Sequence, residues 1–133
     1  MTDTATLLAA GFARFDAGDL DAVVALAAPD IHAHIPPTMA NAGDYHGPDE
    51  FRVMLDHWTA AWGEYRNELQ DIAECGPDRF VVTLRFIARG VVSGAPVDQL
   101  QAQFIEVRDG RMSRWRLFHT TEDAMAYAAG DQA

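Results

Sequence analysis

The feature that most constrains the fold is a change in residue pattern near Glu64. Before it, apolar residues recur at spacings of three and four, which is typical of helices. After it, the chain forms long extended segments separated by turn signals at residues 76–78, 93–96 and 109–110. This pattern predicts four sequential antiparallel strands over about residues 64–75, 79–92, 97–108 and 111–119.

The first half of the chain predicts three helices. They cover about residues 4–17, 20–28 and 47–62. Between the second and the third helix lie a short strand, which carries His32 and His34, and a loop over residues 36–46. A last short helix is predicted from Thr120 to about Ala128. Helices followed by a meander of strands predict an α+β fold in which a curved antiparallel sheet is covered by helices on one side.

Length and composition narrow the class of protein. A chain of 133 residues is expected to form a single domain, residues 1–133, and no apolar stretch is long enough for a membrane span. A net charge of -10 argues against binding to nucleic acid or anionic membranes. With no secretory leader we expect a cytoplasmic protein, and the single cysteine, Cys75, excludes an internal disulfide.

The two faces of the predicted strands lead to an expectation about assembly. One face of the 79–92 strand carries Phe80, Val82, Leu84 and Phe86, and neither face looks purely solvated. Because the helices can cover only one face, we expect a homodimer that pairs through the Phe80 face. The opposite face, with Arg85, Gln101 and Gln103, is expected to turn toward the helices and a partly polar cavity.

Three segments give the sequence a family resemblance. GDLDAVVAL, HIPPTMANAGDYHGPDEF and DGRMSRWRLFHTTEDA, with the order of elements, resemble the nuclear transport factor 2-like superfamily and its polyketide-cyclase-like (SnoaL-like) branch over about residues 5–128. The resemblance implies a cystatin-like, cone-shaped fold with an enclosed pocket. It specifies the chemistry poorly, because the superfamily includes isomerases, epoxide hydrolases, cyclases, dehydratases and non-catalytic binding domains.

The catalytic residues of the best-known members are not retained. Against the limonene-epoxide hydrolase pattern, the tyrosine and asparagine that hold water fall on His32 and His34, and the arginine falls on Arg85. Its two aspartates fall on Ile87 and Leu117. Against the ketosteroid isomerase pattern, the tyrosine falls near Gly11 and the basic aspartate at His34 or Ile35, so neither known mechanism is predicted.

The resemblance implies that His32 and His34 face the pocket, and alternation along the last strand adds His119, so a different reactive cluster is predicted. His32, His34 and His119 are expected to converge with Arg85, Gln101 and Gln103, with His34 or His32 as the base, His119 as a second proton carrier and Arg85 stabilising an enolate oxygen. Two alternatives remain: the histidines only hydrogen-bond within a binding pocket, or Arg85 pairs with an acid such as Asp16 or Glu68. A zinc site of three histidines lacks a carboxylate or cysteine, so no metal is expected.

The expected function follows from this cluster. The leading hypothesis is cofactor-independent acid/base chemistry, of the cyclase, isomerase or dehydratase type, on a hydrophobic carbonyl compound, and no cofactor motif is present. The competing hypothesis is a non-catalytic domain that binds a small molecule, so whether the protein is an enzyme stays open. The expected substrate-binding residues are Gln101, Gln103, Trp58, Trp62, Trp115, Leu117 and Tyr45.

Overall fold

The computed structural model describes residues 4–39 and 42–131, and along these residues it contains four helices and six strands. The predicted α+β class is confirmed. The helices are α1 Thr4–Asp16, α2 Leu20–Val24, α3 Gly47–Ala60 and α4 Thr121–Asp131. The strands are β1 Ala27–Ile35, β2 Gly43–His46, β3 Trp62–Glu74, β4 Arg79–Gly90, β5 Pro96–Arg108 and β6 Arg111–Phe118.

The strands form one curved sheet in the order β2-β1-β6-β5-β4-β3. Neighbouring strands are antiparallel except β1 and β6, which are parallel and join the first part of the chain to its last strand. The ladders shift register within β1, β3 and between Glu106 and Val107, and such bulges increase the bend of a sheet. The bend gives the sheet a concave inner face.

Local sequence explains where two of these elements begin. Asp109 and Gly110 have φ values of 53° and 78°, the positive pair that a two-residue type I′ hairpin turn requires, so β5 returns directly as β6. At the start of α3, Pro48 occupies the first turn and the Glu50 carboxylate accepts a hydrogen bond from the His46 backbone N–H at 2.8 Å. Turn chemistry read from the sequence therefore places both elements correctly.

Helices pack on both sides of the sheet, and the two sides differ in size. The main core lies between α1, α2, α3 and the inner face, where Val82 and Leu84 are fully buried. A smaller core lies on the outer face under α4 and contains Val81, Ala102, Phe104, Ala124 and Ala128. The C-terminal helix thus covers part of the face that the first three helices leave open.

The predicted orientation of β4 is wrong. Phe80 lies opposite Ile105, Val82 opposite Gln103 and Leu84 opposite Gln101, so the Phe80 face and the glutamine face are the same inner face. The predicted faces require even-numbered residues of β4 to lie beside even-numbered residues of β5, whereas the register pairs even with odd. A one-residue difference in register exchanges the two faces of a strand.

The consequence concerns the expected dimer surface. Phe80, Val82, Leu84 and Phe86 are at most 4% exposed, because the helices of the same chain cover them. These residues cannot form the surface through which a homodimer was expected to pair.

Two element boundaries also differ from the prediction. The second helix is only five residues long, and Ala27 and Ala28 already belong to β1, where both are buried. Residues 36–46 are not all loop, because Gly43–His46 pairs with β1 as the edge strand. Short elements of this kind depend on a neighbouring strand, which periodicity along the chain does not reveal.

Candidate functional site

A cavity of about 90 Å³ lies between the helices and the inner face of the sheet. Helix α1 supplies Leu8, Gly11, Phe12 and Phe15, which share one face because they follow helical spacing. Aromatic and aliphatic side chains from α2, the α2–β1 connection, α3, β1, β5 and β6 supply most of the remaining wall: Val23, Leu26, Ile35, Phe51, Met54, Leu55, Trp58, Ile105, Met112 and Trp115.

Three amides are the polar side chains of this lining. Gln101 and Gln103 are 5% and 7% exposed and extend from alternate positions of β5, and Asn67 extends from β3. Gln103 Oε1 accepts a hydrogen bond of 2.8 Å from Trp115 Nε1, whereas the Gln101 side chain has no hydrogen-bond partner among the described residues. Among those residues, no titratable side chain lines the cavity.

Asn67 is held by the end of α1. Its backbone N–H donates to the Asp16 carboxylate oxygens at 3.2 and 3.0 Å, and its Nδ2 donates to Asp16 Oδ1 at 2.8 Å. Next to this contact, the Tyr65 hydroxyl donates to the Phe15 carbonyl at 3.2 Å, and burial followed by the nearby Asp16 charge raises the pKa of Tyr65 above its ordinary value. These contacts fix α1 against β3 and so hold one wall of the cavity.

The expected substrate-binding residues divide into two groups. Gln101, Gln103, Trp58 and Trp115 line the cavity. The others pack against the same core without lining it: Leu117, Trp62 and Tyr45.

His32 and His34 do not face the cavity. On β1 the buried residues are Ile31, Ala33 and Ile35, and only Ile35 of these lines the cavity, so the two imidazoles lie on the outer face of the sheet. Their side chains are 41% and 22% exposed. The prediction that they point into the pocket is therefore wrong.

The two imidazoles share one partner on the edge strand. Asp44 Oδ1 lies 2.7 Å from His32 Nε2 and 2.9 Å from His34 Nδ1, and the His46 ring stacks on His32 with 4.6 Å between ring centroids. The hydrogen bonds from His32 and His34 lower the pKa of Asp44 from 3.8 to about 2. Asp44 was missed because residues 36–46 were predicted to form a loop.

His119 and Arg85 also lie away from the cavity. His119 follows the last residue of β6, is exposed, and its Nε2 lies 2.7 Å from Thr38 Oγ1. Arg85 lies on the outer face of β4 and forms a bidentate ion pair with Asp98 of β5. The expected cluster of three histidines, Arg85 and two glutamines does not assemble, and the alternative of an acid-paired arginine fits with Asp98 as the acid.

Residues 4–39 and 42–131 contain neither a group of metal ligands nor a helix that could span a membrane. In this part of the chain, no three His, Cys, Asp or Glu side chains are arranged to hold a metal ion. Every helix there is too short or too polar to cross a membrane.

Asn67 is the polar cavity residue that sequence reasoning missed. A signal was present, because Tyr65, Asn67 and Leu69 occupy alternate positions of β3 and Asn67 is the amide in an otherwise apolar row. The predicted strand at residues 64–75 was correct, but its faces were not assigned.

Comparison with known proteins identifies the family. A model described as the SnoaL-like domain matches residues 8–115. The chain belongs to the SnoaL-like family. An uncharacterised protein of Mycobacterium tuberculosis is 31% identical to this SnoaL-like chain over 122 residues, which cover 90% of this chain and 92% of the relative.

Solved structures share the fold of this SnoaL-like chain. A nuclear transport factor 2-like protein of unknown function from Burkholderia pseudomallei has a TM-score of 0.81 and 22% identity, covering 95% of this chain and 97% of its own. TerC, crystallised with polyporic acid, has a TM-score of 0.78 and 20% identity, covering 95% and 98%. These neighbours confirm the nuclear transport factor 2-like fold that the sequence predicted.

Proposed function

We propose that this protein binds a small, neutral and largely apolar molecule in the cavity, and that it holds this molecule without transferring protons to or from it. The observation that carries the proposal is the chemistry of the lining. Aromatic and aliphatic side chains form the wall, three amides interrupt it, and no acid, base or nucleophile lines it among the described residues.

The size of the cavity limits the ligand. A cavity of about 90 Å³ is somewhat smaller than the roughly 150 Å³ that accommodates benzene in an engineered protein core. A five-membered ring is therefore a suitable probe, and a larger ligand requires wall side chains to move. Met54 is suited to such movement because methionine is unbranched and flexible. TerC, which has a similar fold and was crystallised with polyporic acid, supports a small-molecule role.

Acid/base catalysis has less support than binding. Proton transfer needs a titratable group within hydrogen-bond distance of the bound molecule. His32 and His34 lie across the sheet from the cavity, and their nearest carboxylate, Asp44, lies on the same outer side. A carbonyl compound held by Gln101 and Gln103 would meet hydrogen-bond donors but no base among the described lining residues.

Binding is tested by titrating isotope-labelled protein with cyclopentene. We expect saturable NMR shifts of the indole N–H groups of Trp58 and Trp115 and of the side-chain amides of Gln101 and Gln103. Backbone amides of Arg85 and Asp98 on the outer face serve as an internal control and should not move. If no saturable shift occurs at the cavity residues, the proposed binding is wrong.

Catalysis is tested separately with cyclopentanone in deuterated water. An enzyme that removes a proton next to the carbonyl would exchange that proton for deuterium. We expect deuterium incorporation at the rate seen without protein. Faster incorporation that saturates with cyclopentanone concentration would overturn the non-catalytic part of the proposal.

A further inference from the structure

The cavity amides have fixed orientations, and this property determines which ligands they can accept. We propose that Trp115 and Asp16 act as positioning residues: Trp115 turns the Gln103 amide so that it donates into the cavity, and Asp16 turns the Asn67 amide so that it accepts there. The inference rests on the proposed binding function and adds a ligand class, a neutral compound with an acceptor oxygen at the Gln103 wall and a donor group at the Asn67 wall.

The orientation of Gln103 follows from the chemistry of indole. The Trp115 Nε1–H can only donate, so the group of Gln103 that lies 2.8 Å from it must be the carbonyl oxygen. The Gln103 amide nitrogen, Nε2, is then left to face the cavity, where its two hydrogens are donors. Gln103 is 7% exposed, so water cannot replace a ligand freely at this position.

The orientation of Asn67 follows from the opposite constraint. A carboxylate can only accept, so the Asn67 group 2.8 Å from Asp16 Oδ1 must be the amide nitrogen, Nδ2. The Asn67 carbonyl oxygen, Oδ1, then remains as an acceptor. Two further hydrogen bonds from the Asn67 backbone N–H to the same carboxylate fix Asp16 relative to β3. Two amides that line one cavity therefore present opposite groups to it.

Gln101 strengthens the donor wall. It lies two residues before Gln103 on the same face of β5, it is 5% exposed, and its amide has no partner among the described residues. A ligand oxygen at this wall would give the Gln101 amide a hydrogen bond that no described residue provides. Gln101 is free to rotate its amide nitrogen toward the same ligand oxygen to which Gln103 donates.

The absence of charge in the lining sets the second requirement. Among the described residues no cation or anion lines the cavity, so a carboxylate or ammonium ligand would lose its water without gaining an opposite charge. The ligand should therefore be neutral, with a carbonyl or ether oxygen for the glutamines and a hydroxyl or N–H for Asn67.

The experiment compares three probes of matched size: cyclopentanone, which only accepts, pyrrole, which donates, and cyclopentene, which does neither well. Affinities come from the NMR titration described above. In the Trp115→Phe variant Gln103 can rotate and presents its donor to the cavity only part of the time, so the preference for cyclopentanone over cyclopentene should fall about twofold. In Asp16→Leu, which leaves the Asn67 amide without an acceptor at this position, the preference for pyrrole over cyclopentene should fall by a similar factor.

Each variant controls for the other. Trp115→Phe also enlarges the cavity, but a change in volume alters all three rings alike and leaves the ratios unchanged. If Trp115→Phe does not fold, Gln103→Met removes the donor directly and should cause a larger loss of the same preference, about three- to tenfold, as expected for one hydrogen bond. Unchanged ratios in folded variants would overturn the inference, whereas failure of all three rings to bind the wild-type protein would instead overturn the proposed function.

Discussion

His34 Nδ1 lies 2.9 Å from Asp44 Oδ1, and this contact joins β1 to the edge strand β2 on the outer face of the sheet. With the matching contact from His32, it is the reason that Asp44 retains its charge in acid. The histidines that a sequence reader would assign to catalysis therefore stabilise the edge of the sheet.

The first prediction concerns the acid sensitivity that this contact creates. The pKa of Asp44 is about 2 in the folded protein against an ordinary value of 3.8, so the unfolded chain binds the extra proton first as the pH falls. The stabilising contribution is complete above about pH 4 and is lost as the pH falls toward about 2. Urea unfolding across this range should show a shallower loss of stability in Asp44→Asn than in the wild type.

A matched control is available for this measurement. Asp71 is exposed on β3 and forms no hydrogen bond or ion pair among the described residues. The stability of Asp71→Asn should therefore depend on pH in the same way as that of the wild type. An Asp44→Asn protein that lost stability as steeply as Asp71→Asn would contradict the role given to the histidine contacts.

The second prediction tests which face of β4 is buried. Phe86 is 1% exposed and lies against the rings of Trp58 and Trp62, with centroids 5.5 and 5.4 Å away. Phe86→Ala should lower the free energy of unfolding by about 3–5 kcal/mol. Arg85→Ala, one residue earlier on the exposed face, should change the urea midpoint little. A large loss of stability in Arg85→Ala with little loss in Phe86→Ala would instead support the orientation inferred from sequence, in which Arg85 faces the helices.

The third prediction uses a glycine in the cavity wall. A Cβ at Gly11 would lie 2.9 Å from Leu26 Cδ1, the far end of a flexible side chain that also lines the cavity. Gly11→Ala should therefore fold well, because alanine favours the helix by about 1 kcal/mol and Leu26 can shift. The methyl group and the displaced Leu26 reduce the cavity, so cyclopentene should bind more weakly.

The control for this variant is Gly130→Ala in α4. No atom lies within 4 Å of the Cβ position at Gly130, and this residue does not line the cavity. Cyclopentene affinity should be unchanged in Gly130→Ala. Equal affinity in the two variants would place the binding site elsewhere.

The fourth prediction concerns the single cysteine. Burial is the main cause that raises the pKa of Cys75 above its ordinary value of 9.0. Since the thiolate is the reactive form, Ellman's reagent should label folded protein more slowly at about pH 8 than protein unfolded in urea. Equal labelling rates in the two states would show that the Cys75 thiol is open to solvent.

Local patterns determined most of the secondary structure. The helical spacing of Leu8, Phe12 and Phe15, the Asp109–Gly110 turn and the alternation along β3 to β6 act between residues that are close in sequence, so a single chain is enough to read them. The same patterns, with the family resemblance, were enough for the α+β class and for naming Gln101, Gln103, Trp58 and Trp115.

Tertiary structure decided which faces point inward. Alternation shows that Phe80 and Val82 share a face, but both faces of β4 contain apolar residues, so its pattern is symmetric between inside and outside. On β1 the alternation itself was asymmetric, because Ile31 and Ile35 lie opposite the histidines, and it was the family resemblance that turned the histidines inward. The register between β4 and β5, the pairing of β1 with β6 and the packing of α1 to α3 break that symmetry. These contacts join residues far apart in sequence, and they turn amides toward the cavity and imidazoles away from it.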